Sequence, residues 1–410
     1  MCAAPVLLMS PGKVLDRLGG AILSSILPKG SVIFTSDKID VDFEKIATLE
    51  VFNNYTSNDN IPLLASIAID QFCLEQVVVL AEADVLRAAE LRARHGLLGQ
   101  QPQEAMAFRD KPLMKSRVGQ VGIPVAPHRV ATTALELVEA IYEMGYPCVV
   151  KPPHGRGSSG VEILADSSDL DKYLQKGPFS DRGDTSRILV EAYISGDQYR
   201  VDGICRGGKV CFSTVALYVG SHLDYLAGGY LGSVILPEED PKSLAISSLA
   251  QKVMEEALPS YTGAFHLEAF WTDQGAVFSE VGARLGGGSI SEEIEVSHGV
   301  NITAESIRIQ CGESNHMKSN PQRSLAGQVH ISPREGTLLC APEKLNNSSI
   351  VKSEIAAPGK TFSRMSHTNS EFARAVFKAG SVEEAKMTIE EIVNEIENAT
   401  EWSVESERGV

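Results

Sequence analysis

Two glutamates twelve residues apart, Glu268 and Glu280, stand where chemistry is easiest to imagine in this chain. They lie in the stretch GAFHLEAFWTDQGAVFSEVGARLGGGS, residues 263–289. An apolar-rich run from His266 to Trp271, the turn Thr272-Asp273-Gln274-Gly275 and a second run from Ala276 to Val281 predict a β-hairpin. Its turn would set the two carboxylates side by side at one end of a sheet. Two carboxylates in otherwise apolar strands are costly unless a cation sits between them, and hard oxygen ligands suit Mg²⁺. Arg284 and Gly286-Gly287-Gly288 follow at once, a fixed cation and a backbone open to close approach by an anion. A surface hairpin with two solvated glutamates is the alternative reading of the same residues.

The elements that would position such a site come earlier. Phe108-Arg109-Asp110-Lys111 opens a basic helix carrying Lys115 and Arg117 and ending near Gly122-Ile123-Pro124. That helix reads either as a solvated face or as cations aimed at phosphates. Thr133 and Glu136 form a capping box for the next helix, with Leu135, Val138 and Ile141 as its expected apolar face. A buried strand, Pro147 to Val150, then delivers Lys151. The loop after it, His154-Gly155-Arg156-Gly157-Ser158-Ser159-Gly160, carries many N–H and hydroxyl donors, suited to covering phosphates. It is not a Walker A loop, because the lysine precedes the glycines. Ile188 to Ile194 reads as a strand leading to a hinge, where Glu191 or a neighbouring carbonyl would accept from an adenine amino group. An ordinary strand edge would look similar. The Gly- and Tyr-rich residues 220–238 read as a connection bordering a pocket, with His222, Asp224 and Tyr225 as polar candidates.

At 410 residues the chain predicts several structural units. Residues 1–103 alternate buried strands (Pro5–Met9, Val32–Thr35, Val77–Leu80) with helical stretches such as Ala83–Arg94, an open α/β layer lacking G-x-G-x-x-G. Residues 104–190 form a central unit with the phosphate-covering loop. Residues 191–410 form a C-terminal unit, with a subdomain from about 325 beyond a polar boundary at 313–324. Pro241–Leu258, Ser291–His298 and Asn301–Gln310 read as helices, Gly327–Ile331 and Phe372–Lys378 as strands. The last helix is capped by Ser381 and Glu384, with Ile389, Ile392, Val393 and Ile396 on one face. The net charge of −16 argues against nucleic acid as the main partner. Seven scattered cysteines point to a reducing compartment. With no eighteen-residue apolar run, no membrane partner is predicted and the expected location is cytoplasmic.

Taken in order, R-D-K, a strand ending in lysine, a Gly/Ser loop, V-E-x-Y-I-x-G and E…E-x-x-x-R resemble the ATP-grasp superfamily over roughly residues 104 to 310. The resemblance implies an α/β and α+β fold, with an N-terminal open parallel-sheet domain, a central lid domain and a C-terminal domain. It implies ATP with Mg²⁺, which Mn²⁺ could replace. Carried over by position, Lys111 and Lys151 would contact phosphates, with Lys151 also near the adenine. His154, Gly155, Gly157, Ser158, Ser159 and Gly160 would cover the phosphates. Glu191, Tyr193 and Ile194 would line the adenine hinge and Gln198 would stand in for a ribose-binding glutamate. Glu268 and Glu280 would bind the metal, and Arg284 would hold the transferred phosphate. Gly282 stands where many members carry asparagine. Small residues there, and the run G-A-R-L-G-G-G-S, are similar to the carboxylate–amine ligase branch that includes L-amino-acid ligases. The reaction implied joins an amino-acid carboxylate to an amine through an acyl-phosphate, giving ADP and phosphate. Its partners would be small-molecule substrates, in a chain that would commonly be a homodimer. A carboxylase of biotin- or purine-pathway type using bicarbonate is the alternative, and a non-enzymatic nucleotide-binding regulator is a third.

Overall fold

The computed structural model describes residues 4–179, 187–313, 321–363, 365 and 371–403. Four strands open the chain, β1 (Val6–Met9), β2 (Ser31–Thr35), β3 (Ile46–Val51) and β4 (Gln76–Val79). They form a wholly parallel sheet in the order β3-β2-β1-β4. Both faces are covered, so β1 and β2 are buried along their whole length and read as unbroken apolar runs. Helices Gly12–Leu18, Gly20–Ile26, Ile61–Gln71 and Val85–His95 supply that cover. The last ends at Gly96 in the left-handed region, as its sequence predicts. The open α/β layer is present.

A second, antiparallel sheet contains β5 (His128–Ala131), β6 (Cys148–Lys151), β7 (Glu162–Leu164) and β8 (Ile188–Ala192), ordered β5-β8-β6-β7. Helix Ala134–Met144 packs on it through Leu137, Ala140 and Ile141. Leu135, expected on the buried face, is instead 69% exposed. The capping box is also half formed. Thr133 accepts from the Glu136 N–H, but the Glu136 carboxylate takes the backbone N–H and the hydroxyl of Thr132.

Eleven strands follow. They are β9 (Asp197–Arg206), β10 (Lys209–Val219), β11 (Tyr230–Ile235), β12 (Gly263–Thr272), β13 (Gly275–Gly282), β14 (Leu325–Ile331), β15 (Gly336–Cys340), β16 (Ile350–Ile355), β17 (Thr361–Phe362), β18 (Ala373–Ala379) and β19 (Glu401–Trp402). Eight of them make one sheet, β13-β12-β9-β10-β11-β14-β18-β16, and β17-β15-β19 make a small one. Residues 220–238, expected to be a connection, contribute the short helix His222–Leu226 and then β11, an interior strand between β10 and β14. Its glycines and tyrosines hide a buried run, Gly232 to Ile235. Of the polar segment 313–324, residues 314–320 lie outside the described residues. No helix among the described residues is long and apolar enough to cross a membrane.

Helix Val382–Asn398 lies across the far half of the large sheet. Ser381 caps it, and Ile389, Ile392, Val393 and Ile396 are buried as their spacing predicts. Ile389 stands over Gly232, where a Cβ would come within 2.8 Å of its Cδ1. The sheet can approach the helix this closely only because that residue is glycine. Ile389→Ala should therefore leave a cavity and destabilise the protein by about 2–5 kcal/mol, read as an earlier midpoint in urea unfolding.

Candidate functional site

The hairpin forms as β12 and β13, turning between Thr272 and Gly275, and its register puts Glu268 directly opposite Glu280. Directly opposed side chains share a face of the sheet. A register shift follows immediately, between Glu268 and Ala269. Such irregularities bend a strand and re-aim its side chains. Both carboxylates are thus brought together on one face of the sheet, each partly exposed.

Cations surround them. Lys111 opens the helix Lys111–Gln120, and its Nζ lies 3.3 Å from Glu280 and donates to the Gly155 carbonyl at 2.7 Å. Lys151, the last residue of β6, and Lys115, one turn after Lys111, both reach Glu191, at 2.8 and 3.2 Å. Burial opposes the charge on Glu280, but Lys111 and Lys151 hold it below the usual carboxylate range despite the push from Glu268. Burial also opposes Glu268, which a hydrogen bond from His266 and the charges of His222, His266 and Arg284 hold low. Gln198 donates to Glu268 at 2.9 Å. Among the described residues no group of three or more His, Cys, Asp or Glu side chains could cage a metal. Two carboxylates alone suit a cation that takes its remaining oxygens from phosphate or water.

Behind Glu268 runs a buried chain of charges. His266 Nδ1 lies 2.8 Å from Asp202 and its Nε2 3.4 Å from Glu268. Asp202 in turn pairs with Arg200, which also meets Glu293. Burial raises the cost of the Asp202 charge, yet Arg200 and His266 hold it down at about 2. Gly286 lies against this chain, since a Cβ there would stand 2.5 Å from Asp202 Oδ1. The close approach expected of the glycine run is, at this residue, an approach to the protein's own carboxylate.

Arg284 follows β13, and its Nε donates to Glu82 at 2.9 Å. Glu82 belongs to the N-terminal layer, three residues past β4, and pairs with Arg109 as well. Arg109 also donates to the His154 carbonyl at 2.9 Å, so one carboxylate joins Arg284 to the Gly/Ser loop. His154 itself is half exposed and faces Asp110 at 3.2 Å, as does Arg187 at 2.8 Å. Gly157, Ser158 and Gly160 all take positive φ, so the loop curls through successive turns. Tyr193 is 43% exposed just past β8, with Ile194 beside it, and Glu191 is turned inward to its lysines.

The site thus gathers Lys111, Lys151, Glu191, Gln198, Glu268, Glu280 and Arg284. Glu82, Asp202 and His266 are not singled out by the sequence, although His266 alternates with Glu268 along one strand; Arg109 and Lys115 appear there only among the cations at the start of one helix. Of the residues 220–238, His222 comes to the site, stacked edge-on against Tyr218 at 4.7 Å and acting on Glu268. Asp224 instead closes a local turn with Ser221, and Tyr225 is buried.

Residues 144–293 match the ATP-grasp domain family. The L-arginine-specific L-amino acid ligase of Bacillus subtilis is 27% identical over 267 residues, 64% of this chain and 64% of that protein. The match therefore spans less than two thirds of the relative's length. The crystal structure of an L-amino acid ligase from Bacillus licheniformis superposes with a TM-score of 0.75 at 16% identity, covering 98% of this chain and 100% of that one. The biotin carboxylase domain of Hydrogenobacter thermophilus 2-oxoglutarate carboxylase, solved with MgADP, ADP and bicarbonate, gives 0.71 at 15% identity over 98% and 91%.

Glu191 is the shared counter-ion of two buried lysines. Burial opposes its charge, and Lys115 and Lys151 overcome this and hold it below the usual carboxylate range. Glu191→Gln should cost about 3–5 kcal/mol by stranding both cations. Lys151→Ala should cost less, because Lys115 still pairs Glu191. A carboxyl depressed in the folded state contributes fully above its unfolded value, about 4.3, and loses that contribution as pH falls through the folded one. Urea unfolding of wild type and Glu191→Gln should accordingly converge as pH is lowered below about 4.

Proposed function

We propose that this chain is an ATP-grasp enzyme that joins a carboxylate to an amine while ATP is split to ADP and phosphate. The observation that carries this is the opposed pair Glu268 and Glu280 with Lys111 and Lys151 around it and Arg284 beside it. In this reading Glu268 and Glu280 would hold Mg²⁺ (or Mn²⁺), which would supply charge neutralisation at the phosphates. Lys111, Lys151 and the loop from His154 to Gly160 contact the phosphates. Tyr193 and Ile194 line the adenine hinge, and Glu191 fixes the two lysines. Gln198, which reaches Glu268, lies close enough to the metal pair to orient it as well as to meet the ribose.

A substrate carboxylate oxygen attacks the γ-phosphorus, the bond to the β-phosphate oxygen breaks, and ADP leaves. Arg284 steadies the resulting acyl-phosphate. The amine nitrogen then attacks the acyl carbon, phosphate departs with the C–O electron pair, and the nitrogen loses a proton.

For the first substrate the matched L-amino acid ligases support an amino acid. Glu82 does not decide it, because Arg109 and Arg284 already take its two oxygens. A second reading, ligation of bicarbonate, has wider support among similar folds. Several of them are N5-carboxyaminoimidazole ribonucleotide synthetases or a biotin carboxylase domain.

Turnover with pairs of L-amino acids, ATP and Mg²⁺ separates the two. The amino-acid reading expects ADP and phosphate, an amide in equal amount, a hydroxamate when hydroxylamine replaces the amine, and no response to bicarbonate. AMP among the products would reject the acyl-phosphate route, and turnover that requires bicarbonate would replace the amino-acid reading with the second one. Glu268→Gln and Glu280→Gln should each lose nearly as much turnover as the double variant, since they serve one metal site. Losses that multiply would break that assignment.

A further inference from the structure

A cavity of about 270 Å³ lies between the parallel sheet and the start of β12, lined among others by Val77, Val79, Arg92, Gln100 and Tyr261. It is separate from the carboxylate pair. Thr262, on its wall, is six residues before Glu268, roughly 20 Å along an extended strand. Arg92 is its chemical centre. The side chain is 6% exposed and is held by two backbone carbonyls, Val77 at 2.6 Å and Gln100 at 3.4 Å. Its Nε has no partner, and neither has the Gln100 Nε2.

Charge balance makes this arginine unusual. Arg200 and Arg374, the other buried arginines among the described residues, each sit on two carboxylates. Arg92 sits on none. Burial pulls it down to about 10, and no carboxylate holds it up. A buried guanidinium is stable when paired, and its fork of donors matches a carboxylate. Glu104 also faces the cavity, with its carboxylate taken by the Gln101 N–H at 2.9 Å. That second acidic group disfavours any ligand with more than one negative charge. The apolar walls, Val77, Val79 and Tyr261, leave room for a short hydrocarbon body.

We propose that this cavity binds a small organic monocarboxylate, its carboxylate on Arg92 and Gln100 and its body against Val79 and Tyr261. The site is independent of the reaction assigned to the chain. It lies at the strand that leads to Glu82, because Val79 lines the cavity and both its backbone groups are held by Gln310.

Thermal unfolding of the whole protein, without ATP or Mg²⁺, tests the proposal in sodium butyrate against sodium chloride and sodium phosphate at matched ionic strength. Butyrate should raise the melting temperature by ~3 °C at saturation, and phosphate should not. Arg92→Met should abolish the rise, and Arg284→Ala, at the carboxylate-pair site, should keep it. Should Arg92→Met not fold, Ser260→Trp decides, since Ser260 is exposed at the cavity wall and a large ring there closes the entrance. No rise in wild type, an equal rise in phosphate, a rise that survives Arg92→Met or Ser260→Trp, or one lost in Arg284→Ala would each overturn the assignment.

Discussion

Like charges placed directly opposite one another on neighbouring strands repel, and the register of β12 and β13 does this with Glu268 and Glu280. The arrangement persists because positive groups converge on it from separate elements. Lys111 comes from a helix start, Lys151 from the end of β6, Arg284 from the turn after β13, and His266 from β12 itself. Moving any of these elements by a turn would take a cation away from a partly buried carboxylate. The position of the central sheet against the large one is therefore tied to a charge requirement as much as to apolar packing.

The N-terminal layer enters the same account through one residue. Glu82 lies past β4 and meets both Arg109 and Arg284. Burial opposes its charge, and Arg284 and then Arg109 hold it below the usual carboxylate range. The Leu285 N–H donates to the Leu80 carbonyl at 3.1 Å, so backbone and side chain make the same join. A parallel sheet with no phosphate motif of its own thus positions Arg284, the cation that follows β13. Its contribution to the site is orientation.

What could be read from the chain was what depended on neighbours in sequence. The hairpin was legible because T-D-Q-G marks a turn and apolar runs flank it. Helix Val382–Asn398 was legible because its apolar spacing and Ser381 cap are local. Glu82 was not, since its partner Arg284 is 202 residues away and nothing beside Glu82 marks it. For Lys115 the sequence leaves a solvated face and a phosphate-directed cation equally open, and only the fold shows it buried against Glu191. Leu135 misled for the opposite reason. The helix spacing allows an apolar face through 135 or through 137, and the packing of β5 and β8 selects Leu137. Strand β11 was hidden by glycines that read as a loop, though one of them, Gly232, lies inside the strand directly under Ile389.

Gly282 stands where the resemblance led one to expect asparagine, and the structure gives that departure a physical cause. A Cβ at this position would come within 2.9 Å of Glu82 Oε2, 3.1 Å of Arg284 Cγ and 3.2 Å of Arg284 Nε. The space an asparagine would fill is held by the Glu82–Arg284 pair. Glu82 cannot swing aside freely, because Arg109 holds its other oxygen. A side chain at 282 and this ion pair are alternatives for one volume. In this chain the cation is braced from the N-terminal layer, and the oxygen an asparagine amide would bring to the site is given up. Were Glu268 and Glu280 to hold a cation, as proposed, it would depend more on oxygens from outside the protein, and phosphate oxygens would suit that need.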